Sequence, residues 1–184
     1  MEDIAVKRYL TNFAKRVVSA AKKNVKKKSS SGKLEQSIKY SLTKDEEGIY
    51  SVKFLSAPHG KYIDKGVSGV GGVVRGKSYS GKQTYKNVHG VSGVVKGYSS
   101  KRPPMSALDK WIVKKVKGAR DEKGRFIPRK SLQFLIARSI YRKGIEGIEF
   151  YTAPLRTNLM KFPAELLVAF KEDFTNSIMQ IKPK

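Results

Sequence analysis

Cations outnumber anions so heavily in this chain that it must fold against its own charge. Thirty-nine Lys and Arg stand against 15 Asp and Glu, a formal net charge of +24. A charge of that size repels itself in any compact state and favours an anionic partner, either a nucleic acid or an acidic protein surface. Charge does not choose between the two, and lysines also serve simple solubility. The counterweight is an apolar share of 39% that includes eight Phe and nine Tyr. That is enough for one packed core, so the whole chain is not a disordered tail. Its 184 residues fit one domain, since domains commonly run to roughly 100–200 residues.

Cysteine is missing altogether, which excludes disulfides, thiolate metal sites and Cys nucleophiles and fits a reducing compartment. No apolar run reaches the roughly 18 residues of a membrane span. Met1-Glu2-Asp3 is acidic and lacks the charged-then-apolar pattern of a signal peptide. The expectation is a protein of a cytoplasm that makes no membrane contact.

Periodicity predicts the elements. Over residues 3–28, Val6, Leu10, Phe13, Val17, Ala20 and Ala21 share an arc of about 100°, the mark of an amphipathic helix. Arg8, Lys15, Lys22, Lys23 and Lys26 hold the opposite face and could grip phosphates or an acidic partner. The Lys26-Lys27-Lys28 run suits a helix C-terminus, and the Ser29-Ser30-Ser31-Gly32 run stops the helix. Ile38, Tyr40 and Leu42, then Tyr50, Val52 and Phe54, alternate around a Lys44–Gly48 turn and predict an antiparallel hairpin. A helix with Met105, Leu108, Trp111, Ile112 and Val116 on one side follows Pro103-Pro104 and stops at Gly118, with Trp111 expected in the core. After a turn at Asp121–Arg125, a second helix runs from about Lys130 to Lys143. Its apolar face holds Leu132, Leu135, Ile136 and Ile140. Ile148, Phe150 and Tyr151 suggest a short strand. Pro163 suits the first position of a tail helix to Asn176, and Ser177–Ile181 a closing strand.

Between Gly60 and Gly97 lie most of the 16 glycines. Two similar β-prone strings sit here, one carrying Val67, Val70, Val73 and Val74, the other Val91, Val94 and Val95. They suggest the legs of an extended β arm or long loop over 66–102, ordered by a neighbouring subunit. The same stretch contains Gly71-Gly72-Val73-Val74-Arg75-Gly76-Lys77-Ser78, which matches the phosphate-loop string G-x-x-x-x-G-K-[ST]. That loop needs a buried strand before it and a helix after it. Gly66–Val70 is a poor buried strand and Tyr79-Ser80-Gly81-Lys82 a poor helix start, so nucleotide hydrolysis is not expected.

Other chemistry is thin. His59 and His89 lie 30 residues apart without a ligand pattern, and no metal or cofactor is expected. Asp64 and Asp109 are isolated acids, and Asp64 can cap a helix or pair with Lys61 and Lys65. Tyr79, Tyr85 and Tyr98 among cations could stack on unpaired bases. A basic face without base-reading residues implies sequence-independent contact at most.

The order of segments resembles a known family. Gly32-Lys33-Leu34-Glu35-Gln36-Ser37-Ile38 follows the basic helix. Tyr62-Ile63-Asp64-Lys65-Gly66-Val67 follows the hairpin. Arg102-Pro103-Pro104 precedes Leu108-Asp109-Lys110-Trp111-Ile112, and Phe134–Ile145 precedes Phe150-Tyr151. Across residues 1–156 this resembles the neck or tail-completion proteins of tailed bacteriophages, small α+β subunits that form rings where the portal joins the tail. The resemblance implies an α+β fold, an antiparallel sheet packed by the N-terminal helix and the two central helices. Residues 1–162 would form the family domain and 163–184 a helix–strand extension. It implies a non-enzymatic head–tail connector, located in the virion and assembled in the host cytoplasm. Its partners would be copies of itself in a ring, portal or adaptor and tail proteins, with nonspecific contact to packaged DNA. The competing expectation is a stand-alone, sequence-independent nucleic-acid-binding protein.

Overall fold

The computed structural model describes residues 3–28, 32–74, 76–97, 102–116 and 118–179. Arg75, Tyr98 and Ile181, each part of an expectation above, lie outside them. The fold is α+β. Its strands form four two-stranded ladders instead of the single sheet expected. No helix among the described residues is long and apolar enough to cross a membrane. The chain divides into two units, one of residues 1–64, 86–91 and 148–184, the other of residues 65–85 and 92–147.

The first unit is built on α1, Ile4–Lys28. Ala5, Leu10, Phe13, Ala14, Val17, Val18, Ala21 and Val25 are buried along one stripe at helical spacing. The short helix α2 (Lys33–Ser37) sends Leu34 into the same core, and Ile38 just after it is fully buried. β1 (Lys39–Lys44) and β2 (Tyr50–Leu55) form the predicted hairpin, with Tyr40 opposite Phe54 and Leu42 opposite Val52. Asp45 closes its turn by accepting the Ile49 N–H at 2.7 Å. The one-turn helix α3 (Gly60–Lys65) follows.

The tail departs from expectation. Residues 148–151 make no strand. Phe150 is buried in a turn, and α6 runs unbroken from Thr152 to Met179 with Pro163 inside it. Pro163 therefore does not start a helix, and Ser177 to Met179 are helical. The start is set earlier by Asp64, whose carboxylate accepts the N–H groups of Tyr151 and Thr152 at 2.7 and 3.2 Å and binds the Thr152 hydroxyl. Once nucleated, the helix passes through proline at the loss of one backbone hydrogen bond.

In the second unit α4 (Met105–Lys115) and α5 (Arg129–Lys143) pack together. Asp109 ties them, accepting Arg129 Nε at 2.7 Å and Gln133 Nε2 at 2.6 Å. Between them the predicted turn forms as Asp121 accepts the Lys123 and Arg125 N–H groups, both at 2.9 Å. Ile112 and Ala137 are buried. Trp111, expected in the core, is 45% exposed, and Leu135 is 40% exposed. One short helix pair cannot enclose side chains on all sides.

The Gly-rich stretch folds into short ladders. β3 (Gly66–Ser68) pairs antiparallel with β8 (Gly144–Glu146), and β4 (Gly72–Val74) with β5 (Lys77–Tyr79). β6 (Thr84–Lys86) and β7 (Ser92–Val94) make the fourth ladder. This backbone caps α5. The Val70 and Gly71 N–H groups donate to the Tyr141 and Arg142 carbonyls, both at 2.9 Å, and the Gln83 amide donates to the Lys143 carbonyl at 2.9 Å. The last carbonyls of a helix have no partner within it, and here a neighbouring segment supplies three donors. Gly69 permits that approach, since a Cβ there would collide with the Arg142 carbonyl.

Candidate interaction surfaces

The cationic face of α1 is partly neutralised at home. Arg8 meets Glu172 at 2.7 Å and Arg16 meets Glu165 at 2.6 Å, both carboxylates lying on α6. Hydrogen bonding from Arg16 holds the Glu165 carboxyl below the usual carboxylate range. Burial, then the Glu165 charge, raises the neighbouring Tyr9 phenol. Lys15, Lys22, Lys23 and Lys26 form no ion pair with a described residue. Lys15, Lys23 and Lys26 are exposed and Lys22 half-buried, so among the described residues nothing pairs with four of the five predicted cations.

The arm valines divide. Val67 is half-buried in β3 opposite Ile145, and Val95 is half-buried. Val70, Val73, Val91 and Val94 are 44 to 62% exposed. For Val74 only the backbone is described, paired with Lys77.

Within the phosphate-loop string, β4 and β5 pair antiparallel. Gly72 faces Tyr79 and Val73 faces Ser78, so no helix follows Lys77 to converge on a phosphate. Tyr79 and Tyr85 are each covered by a lysine of the same unit. Lys143 lies 4.3 Å from the first ring and Lys65 4.5 Å from the second. The two isolated acids serve the fold, Asp64 as a helix cap and Asp109 as the α4–α5 tie. His59 and His89 are exposed. Among the described residues no group of three or more His, Asp or Glu could hold a metal ion.

Two carboxylates that no sequence pattern marks out organise the first unit. Asp173 is 3% exposed. It accepts the Ala5 N–H on Oδ1 and the Val6 N–H on Oδ2, each at 2.8 Å, capping α1 from near the end of α6. Glu149 receives Arg156 Nη2 at 2.9 Å and the Lys86 N–H at 3.2 Å. Arg156 in turn donates to the carbonyls of Lys86 and Asn87. The hydrogen bond from Arg156 holds the Glu149 carboxyl low.

The stretch from α1 to α3 is where a comparison with known families finds a match. Residues 1–66 match the HK97-gp10-like family, described as "Bacteriophage HK97-gp10, putative tail-component". The matched segment takes in the first unit's continuous N-terminal part, residues 1–64, with the basic face of α1, and two residues beyond it. It stops where the Gly-rich stretch begins, so the match is shorter than the resemblance read across 1–156. No curated protein and no solved structure matches the chain.

The apolar exposure is extensive. In the second unit Trp111, Val113, Phe126 and Phe134 are 41 to 66% exposed. Arg120 sits 3.9 Å over the Phe126 ring and Arg102 5.4 Å from the Phe134 ring. In the first unit Ile4, Ile49, Leu55 and Tyr62 are 52 to 62% exposed, and a longer series of exposed apolar side chains lies along α6. Monomeric proteins rarely leave several large side chains exposed together, and such patches mark contact surfaces.

Proposed function

We propose that the chain is a structural subunit of a phage virion, part of the head–tail connector or neck, that assembles by protein–protein contact into a ring. The single observation that carries this reading is the match of residues 1–66 to a phage tail-component family. Exposed apolar side chains in both units support an assembling subunit, because they need a covering surface that one chain does not supply. Head-to-tail contacts between copies close into a ring when their rotation permits. Val70, Val73, Val91 and Val94 are candidates for such contacts, or for contacts with portal and tail proteins. Lys15, Lys22, Lys23 and Lys26 would face passing DNA or an acidic neighbour. Weak, nonspecific contact suits a channel, since tight gripping would block passage.

Deleting the coding sequence from a phage that carries it should leave filled heads and tails unjoined. Particles that assemble and infect normally without the chain would sink the reading.

One observation favours the nucleic-acid alternative. Residues 65–85 and 92–147 carry 19 Lys and Arg against four Asp and Glu. A stand-alone binder would hold DNA or RNA with a steep loss of affinity as salt rises. Absence of binding at low salt would remove it.

A further inference from the structure

Helix α6 has two apolar faces, and only one is used. Phe162 packs 4.9 Å from the Phe13 ring and 5.6 Å from the Tyr9 ring of α1. Ala169 is 7% exposed, and Asp173 caps α1. These positions define the inner face. About a third of a turn away lie Met160, Pro163, Leu167, Phe170 and Phe174, with Ile178 beyond them. Met160 is 81% exposed, and Leu167, Phe170, Phe174 and Ile178 are 49 to 54% exposed. Pro163 is exposed too.

The spacing of that outer stripe says what kind of surface covers it. From Met160 to Phe174 the steps are three, four, three and four residues. Apolar residues repeating every 3.5 positions form the seam by which one helix meets another along its length. A flat sheet or a lipid surface does not require that period. Charge narrows the choice further. Residues 152–179 contain three basic and three acidic side chains, so α6 is neutral in a chain of +24. Copies of the chain repel each other over most of their surface, and α6 is where that repulsion is weakest.

The area fits as well. Taking about 150–250 Å² for a large side chain, the exposed fractions leave roughly 500–600 Å² of carbon on the stripe. A stable interface takes about 800 Å² from each partner, so the stripe supplies most of one side.

We infer that the outer stripe of α6, Met160 to Ile178, is a self-association surface whose occupant is the same stripe of a second copy of this chain. The inference rests on α6 alone and holds wherever in a virion the chain resides.

Sedimentation of the full chain, after nuclease treatment, provides the test. The wild type should self-associate at micromolar concentration and keep doing so as salt rises. Bridging by nucleic acid would instead fade with salt or nuclease, and that outcome overturns the inference. The double variant Leu167→Glu, Phe174→Glu should dissociate roughly thirtyfold or more readily, as for loss of buried anchors. Both positions are half-exposed, so circular dichroism should show the fold retained. A second measurement covers the case in which that variant misfolds. The chain has no cysteine, so Phe170→Cys alone should cross-link copies under mild oxidation, while Lys82→Cys, exposed in the other unit, should not. A persistently monomeric wild type, a double variant that associates like wild type, or equal cross-linking at both cysteines overturns it.

Discussion

Ala5 and Val6 stand in the first turn of α1, where no residue one turn earlier in the helix can accept their N–H groups. No acid in that turn offsets the positive end of the helix. Asp173 does both jobs from 168 residues away in sequence. Replacing Asp173 with Ala should therefore cost about 1–3 kcal/mol, as when a buried donor loses its acceptor. Asp173→Asn, which keeps one oxygen acceptor, should fall between the two, and urea unfolding of all three proteins checks the order. Tyr151 offers the opposite case. Its hydroxyl is buried without a hydrogen-bond partner among the described residues, and burial, then the Asp64 charge, pushes its pKa up. Tyr151→Phe should be neutral or slightly stabilising, because it removes an unpaired polar atom and keeps the ring. Glu149 supplies a pH signature. Its carboxyl is held below its ordinary value, so the bond to Arg156 contributes above the unfolded-state pKa and is lost as pH falls through the lower folded one. A thermal-unfolding series across the acid range should show Glu149→Gln flattening part of that loss. Of these residues only Asp64 was legible beforehand, as a possible cap. Asp173 and Glu149 look like ordinary surface acids, because what makes them matter is a partner far away in the chain.

At the scale of elements, local periodicity carried as far as local physics decides. α1, the β1–β2 hairpin, α4 and α5 lie close to where apolar spacing, Pro and Gly put them. The failures share a cause. Pro163 reads as a helix start because proline suits a first turn, yet the helix had already been started by Asp64, 88 residues from the Thr152 N–H that it accepts. The Gly-rich stretch reads as an arm or long loop, and its glycines do not show where its backbone donors go. Its donors are spent on the end of α5, a tertiary pairing that sequence spacing does not encode. Trp111 reads as core because it shares a face with Ile112, and the second unit is too thin to cover it. Pro163 yields a prediction of its own. Inside a helix it removes a hydrogen bond and crowds the preceding turn, at about 3 kcal/mol. Alanine regains that but frees the unfolded chain, at about 0.4–1 kcal/mol. Pro163→Ala should thus stabilise the protein by about 1–3 kcal/mol in denaturant unfolding. Unchanged stability would mean that α6 has already bent to absorb the ring.

For the whole molecule the governing quantity is the balance of charge. Exposed ion pairs such as Arg8–Glu172, Arg16–Glu165 and Arg125–Asp121 contribute little to stability, and salt weakens them. Against them stands a net +24, whose mutual repulsion is felt at all distances below the screening length, about 10 Å at 0.1 M salt and longer when dilute. Salt also screens that repulsion, so the two effects oppose each other in one titration. With 39 cations and only 15 anions, like-charge pairs outnumber opposite-charge ones. The repulsive sum should win. The melting temperature should rise as sodium chloride increases from dilute buffer to about 0.3 M, with the steepest change where the screening length falls fastest. A small polyanion should produce the same rise at far lower concentration if anionic partners settle on the uncompensated lysines. A melting temperature that falls with salt would show that the ion pairs outweigh the excess charge, and the case for an anionic partner built on that excess would fall with it.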